Sequence, residues 1–168
     1  MNILKKTKKK MIISFINVFL SGTHFFSLKR FLLNTNSDIK IGKDTRIVGP
    51  IYLPVISCLE VGDNTWIGRN FGVEGNGEVK IGNSCDLGPR VSFVTGSHEI
   101  GDQNRRAGEG FNGTITVGDG TWLGAGVTVL PNVIIEKGTI VGAASVVTKT
   151  LGSNCIYVGN PAKLLRNL

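Results

Sequence analysis

The run VGDGTWLGAGVTVLPNVIIEKGTIVGAASVVTKT, residues 117–150, repeats every six places. Val117, Leu123, Val129, Ile135, Val141 and Val147 are all aliphatic, and glycine follows at 118, 124 and 142. The same frame extends towards the N-terminus through Ile41, Ile47 and Leu53, then Val61, Ile67 and Val73, then Ile81, Leu87 and Phe93. All fifteen places are apolar, where a composition of 41% hydrophobic residues gives about six, and eight of the fifteen following places are glycine. The frame slips by two residues before Val61 and again before Ile81, and it is broken once, by residues 98–114.

A six-residue unit with one buried aliphatic, a turn-permissive Gly, Asn or Asp, and a small or β-branched residue four places on describes a short strand and a corner. The residues at that fourth place include Thr45, Thr65, Val91, Thr121, Val127, Val133, Thr139 and Ser145. Three units close one triangular coil. Stacked at the ~4.8 Å strand spacing, about five coils form a prism on the order of 24 Å long with the aliphatics in a central column. Glycine, 23 of 168 residues and twice the usual ~7%, is assigned to the corners, where positive φ costs it little. A β-sandwich needs strands of five or six alternating residues and supplies no six-residue period.

The net charge of +7 is confined to one end. Residues 1–37 hold five Lys in the first ten places, Lys29 and Arg30, and no acid; the remaining 131 residues balance twelve bases with twelve acids. The body therefore offers no electrostatic footprint for nucleic acid. The apolar run MIISFINVFL, residues 11–20, is half the ~20 residues a membrane span needs, and the SGTHFF after it lacks a leader-type cleavage site. Ile12, Phe15, Ile16 and Phe19 recur at helical spacing, and Phe25, Phe26, Leu28 and Phe31 to Leu33 form a second apolar cluster. Residues 1–37 read as a helical cap over one open end of the domain 38–168; a lysine-assisted contact of residues 1–35 with an anionic membrane is the alternative. Cys58, Cys85 and Cys155 are scattered and odd in number, which points to reduced thiols in a cytosolic protein and not to zinc or disulfides.

The pattern resembles the hexapeptide-repeat acyltransferases, whose fold is a left-handed parallel β-helix. The resemblance covers roughly residues 38–168 and is most specific in TGSHEI (95–100), VGDGTWLGAGVTVLPNV (117–133), VGAASVVTKT (141–150) and GNPAKLLR (159–166). These stretches are similar to the branch that O-acetylates sugars, in particular the small polysaccharide enzymes related to the colanic acid and galactoside acetyltransferases. Serine acetyltransferases carry a second histidine and an HGGTG run that this chain lacks. The related carbonic anhydrases bind zinc through three histidines, and only His24 and His98 are present, so no metal is expected.

The resemblance implies an all-β enzyme that uses acetyl-CoA as co-substrate, acts on a hydroxyl of a cell-surface saccharide or its precursor, and works as a cytoplasmic homotrimer with sites between subunits. A free sugar or antibiotic as acceptor, and a non-catalytic β-helix scaffold, are the other readings. An alcohol needs a base to take its proton as it attacks a thioester. His98, the one histidine of the repeat region, stands at the mouth of the extruded loop and matches the family's catalytic histidine. Its tautomer requires a carboxylate or a backbone carbonyl to fix it, with Glu74, Glu78 and Glu99 as candidate carboxylates. The resemblance assigns the oxyanion to the backbone N–H of Ala125, places Trp122 beside the acceptor or pantetheine channel, and lines the coenzyme groove with Ala143, Thr148, Lys149, Lys163 and Arg166. Arg105, Arg106 and Phe111 suit a loop that closes over a neighbour's groove.

Overall fold

A computed structural model describes residues 3–168; Met1 and Asn2, the first two residues of the basic N-terminal segment, lie outside the described residues. Two helices, α1 (Ile3–Phe19) and α2 (Phe26–Asn34), precede the strands. Strands then follow in threes. The first coil is β1 (Ile39–Ile41), β2 (Arg46–Ile47) and β3 (Ile51–Tyr52), and the second is β4 (Cys58–Val61), β5 (Trp66–Ile67) and β6 (Phe71–Glu74). The third coil is β7 (Glu78–Ile81), β8 (Asp86–Leu87) and β9 (Ser92–Val94), after which a hairpin of β10 (Gly96–Ile100) and β11 (Ala107–Asn112) leaves the stack. The fourth coil is β12 (Thr114–Val117), β13 (Trp122–Leu123) and β14 (Thr128–Val129), and the fifth is β15 (Ile134–Ile135), β16 (Ile140–Val141) and β17 (Val146–Val147). An incomplete sixth turn ends in β18 (Cys155–Val158) and β19 (Lys163–Asn167).

Corresponding strands stack in parallel into three faces: β1-β4-β7-β12-β15 on face 1, β2-β5-β8-β13-β16-β18-β19 on face 2, and β3-β6-β9-β14-β17 on face 3. Only the β18–β19 pair within a face, and the separate hairpin, are antiparallel. Ile41 stands over Val61 and Val61 over Ile81, a step of twenty residues, whereas Val117 stands over Ile135, a step of eighteen. The two-residue slips and the hairpin all fall where face 3 turns into face 1. Every irregularity of the repeat is thus gathered on one vertical edge, and the largest of them becomes the hairpin.

The frame residues fill the core, all buried except Leu53, which packs partly exposed beside it. In the first coil Ile51 takes the inward place on β3. The fourth-place residues named from the sequence are buried as well. Where these are polar, the next coil satisfies them: Thr45 Oγ donates to Gly62 O (2.6 Å), Thr65 Oγ to Gly82 O (3.0 Å), and Thr139 Oγ to Gly152 O (2.7 Å). A hydroxyl at the corner supplies the carbonyl with a donor while its methyl faces the core, so burial carries no unpaired polar group.

Glycine requires a correction. The frame glycines do not sit at positive φ; a Cβ at Gly68 would lie 2.7 Å from the Gly88 and Pro89 backbone, and one at Gly124 2.6 Å from Ala143 N. They permit close stacking of successive coils. Positive φ falls two places later in the unit, and there Asp44, Asn64, Asn70, Ser84, Arg90, Asn132 and Ala144 adopt it as well as Gly120, Gly126 and Gly138.

The helices close the open end of the first coil. Ile16, Leu20 and Leu33 join the core, while two asparagines imitate the missing strand. Asn17 donates to Ile51 O (2.8 Å) and accepts from Ile51 N (2.9 Å), and Asn34 does the same to Ile41 (2.9 and 2.7 Å). Exposed ladder groups of an edge are thereby paired without another strand. The basic residues take part too: Lys8 donates to Thr35 O (2.7 Å), Arg30 to Thr45 O (3.1 Å), and the buried Lys9 and Lys29 to Ser57 O and Gly22 O. Burial lowers the pKa of the Lys9 ammonium, with Asp38 opposing, and brings Lys29 down to about 8. Four of the seven bases in the segment are therefore engaged, Lys9 and Arg30 with the prism and Lys8 and Lys29 within the cap itself.

Candidate active site

His98 lies on β10, opposite Gly110 on β11, with a bulge in the pairing between His98 and Ile100. Thr95 anchors the base of this hairpin. Buried, it accepts Gly77 N on its hydroxyl (3.0 Å), donates the hydroxyl to Glu74 O (2.9 Å), and gives its carbonyl to Gly113 N (2.7 Å). Asn112 adds a bond to Asn76 N (2.8 Å), and Asp102 closes the tip by accepting Asn104 N (2.8 Å) and Arg105 N (3.1 Å). The segment read from sequence as a loop is an ordered antiparallel ribbon whose side chains stand almost entirely in solvent.

The His98 ring is oriented from across the ribbon. Its Nδ1 lies 2.9 Å from the carbonyl oxygen of Gly108. A carbonyl only accepts, so Nδ1 carries the proton and Nε2 presents its lone pair. A Cβ at Gly110 would lie 3.6 Å from the ring, an ordinary contact, so the space beside the imidazole on that side is open. The candidate carboxylates are elsewhere: Glu78 pairs with Lys80 (3.1 Å) on its own strand, and Glu74 lines a hollow beside α1 with Ile13, Asn17 and Leu53. Neither is bonded to His98, and neighbouring Glu99 is exposed. The Gly108 carbonyl was not legible in sequence, because every residue offers one; the pairing register alone selects it.

Ala125 lies on a different edge, where face 2 turns into face 3. Its carbonyl accepts Ala144 N (2.8 Å), and its own N–H has no acceptor among the described residues. Ala143 follows one coil below on that edge. Trp122 stands 55% exposed on face 2 between Asp86 and Ile140, and Lys163 and Arg166 extend the same face on β19. Thr148 and Lys149 are exposed at the edge between faces 3 and 1, the edge that carries His98. The residues assigned by the resemblance therefore fall into two groups, one with His98, Thr148 and Lys149, the other with Ala125, Ala143, Trp122, Lys163 and Arg166. One full face separates them, up to about 20 Å for a six-residue unit, so a single chain does not bring them together. No group of three His, Cys, Asp or Glu side chains gathers to hold a metal among the described residues. Burial raises the pKa of the Cys85 thiol, which sits inside the prism beneath Gly118 O.

Comparison with known proteins identifies the family and the fold. The family described as bacterial transferase hexapeptide (six repeats) matches residues 114–149. The putative colanic acid biosynthesis acetyltransferase WcaF of Escherichia coli is 35% identical over 128 residues, covering 76% of this chain and 68% of that protein. The chain spans 44–63% of the length of several other curated relatives it matches. The hexapeptide-repeat acetyltransferase VCA0836 of Vibrio cholerae, solved with acetyl coenzyme A, shares the fold at TM-score 0.84 and 24% identity, covering 98% of this chain and 87% of its own. The polySia-specific acetyltransferase NeuO superposes at TM-score 0.68 and 30% identity over 77% of this chain and 61% of its own. The shared architecture is the left-handed parallel β-helix.

Proposed function

Because the chain belongs to the hexapeptide-repeat acetyltransferases, we propose that it moves acetyl from acetyl-CoA to a hydroxyl of a cell-surface polysaccharide or its sugar precursor, as a homotrimer with active sites between subunits. The observation that carries this reading is the His98 imidazole, held by Gly108 O with Nε2 free on an exposed ribbon. In this mechanism His98 Nε2 takes the acceptor's hydroxyl proton as the oxygen attacks the thioester carbonyl. The Ala125 N–H, unclaimed among the described residues, donates to the oxygen on which negative charge builds. His98 then returns the proton to the departing thiolate, so no covalent enzyme intermediate is needed.

The division into two groups supports the trimer. Threefold packing of parallel prisms sets the His98 edge of one chain against the Ala125 edge of the next, and the exposed ribbon gains a partner to cover it. Lys149, Lys163 and Arg166, all exposed, then serve the phosphates of the coenzyme, and Trp122 the acceptor side. A polymeric acceptor is favoured by WcaF and NeuO, whose names refer to colanic acid and polysialic acid. The reaction is placed in the cytoplasm, at the inner face of the membrane, through residues 1–35.

The test is acetyl-CoA-dependent thiol release against a panel of polysaccharides, oligosaccharides and free sugars, with mass spectrometry of the product. Thiol release with a polymer or its repeat unit is expected. Turnover on free sugars alone would replace the acceptor class, and neither turnover nor coenzyme binding would leave a scaffold.

A further inference from the structure

The cap has two apolar sides, and the fold uses one. Ile12, Ile13, Ile16 and Leu20 pack on the first coil. Leu4, Met11, Phe15 and Val18 are exposed, and at 3.6 residues per turn they fall within about 60° of arc on α1. Phe19 continues this side, its ring 5.1 Å from that of Phe15, and Phe31 of α2 is 67% exposed. Nine of the eighteen large apolar side chains exposed among the described residues fall between Ile3 and Phe31, a concentration that a solvated surface does not favour. The side chains of Lys5, Lys6 and Lys10 of the same helix make no hydrogen bond or ion pair with the described residues, unlike those of Lys8, Lys9, Lys29 and Arg30.

We propose that this outer side of the cap docks on an anionic phospholipid membrane, with α1 lying in the interface plane. Leu4, Met11, Phe15 and Val18 enter the headgroup–acyl boundary, and the exposed Lys5 and Lys10, roughly 100° and 120° round the helix from Leu4 on its two flanks, reach the lipid phosphates. No helix is long and apolar enough to cross a membrane, so the contact is peripheral. Charge selects lipid over a second copy of the cap: residues 1–37 contain no acid, so two such faces would oppose lysine to lysine, whereas an anionic leaflet offers the missing charge. The inference deepens the membrane-side placement above and rests on it for why a membrane is at hand; the surface itself stands on the exposed residues. In a trimer of parallel prisms the three caps share one end, and their weak contacts combine.

The experiment is flotation of the full chain with vesicles of phosphatidylcholine alone or with phosphatidylglycerol, at low and high salt. Binding is expected only to the anionic vesicles, weakened by salt. Lys5→Gln and Lys10→Gln together should weaken it roughly twenty-five-fold, at about fivefold per charge. Phe15→Ser with Phe19→Ser should abolish it at unchanged mass by light scattering. Equal partitioning of wild type and both variants would overturn the proposal. So would a change of mass in the phenylalanine variant without vesicle binding, which would identify a chain–chain contact. Acetyl transfer to a soluble acceptor reads the enzymatic proposal separately, so vesicle binding without turnover, or turnover without vesicle binding, tells which of the two fails.

Discussion

A Cβ added at Gly68 in the second coil would lie 2.7 Å from the backbone of the next rung, whereas one added at Gly110 in the hairpin would meet nothing closer than 3.6 Å, the ring of His98. The coils have neighbours above and below, so each place in the six-residue unit is constrained by the rung it touches. The hairpin pairs only with itself, and its residues are released from that constraint. The same contrast holds for charge: the coil surface sets Lys40 against Glu60 (3.7 Å) on successive rungs, while the guanidinium groups of Arg105 and Arg106 on the ribbon form no ion pair among the described residues. Repetition builds the support, and its single large interruption carries the candidate chemistry.

The difference is tested most severely at His98. His98→Ala removes an exposed side chain, so the thermal midpoint should hardly move, while turnover should fall by the ~10² to 10⁴ typical of a general base with acetyl-CoA affinity little changed. A variant that keeps most of its turnover on the true acceptor would strip the ribbon of its chemical role. Next in size, Gly68→Ala should destabilise the prism by about 1–3 kcal/mol, because only backbone lies in the way and a rung must shift. Denaturant unfolding measures it, and an unchanged midpoint would show that the coils tolerate looser stacking than the structure implies.

The cap offers a smaller effect with a definite sign. Lys29 has a pKa of about 8 in the fold against 10.5 in the unfolded chain, so between those values the unfolded chain holds a proton that the folded one has released. Stability should therefore rise with pH through that window, by about 1 kcal/mol from pH 8 to 9, and Lys29→Met should flatten the rise. Thermal melts across this range check it. The smallest change is expected for Gly110→Ala, within about 0.5 kcal/mol in stability, since its place in the ribbon is open. A large loss there would mean that the hairpin is as tightly constrained as the coils.

The amino-acid sequence by itself determined the repeat, its three-sided coil, the places where it slips, and that one long segment leaves it, whose bounds the structure moves from 98–114 to Gly96–Asn112 because Thr114 already pairs in β12. These follow from spacing along the chain, because an aliphatic every sixth residue can be buried in only a few ways. Helices from residues 1–37 were legible for the same reason. Only the tertiary structure decided why Gly68 and Gly124 are glycine, that Phe15 turns outward where Ile12 and Ile16 turn inward, and that Lys9 and Lys29 are buried. It also decided that Gly108 O orients His98 and that His98 and Ala125 occupy different edges. Each of these depends on which atoms meet across rungs, helices or ribbon strands, and such contacts join residues that no local spacing connects.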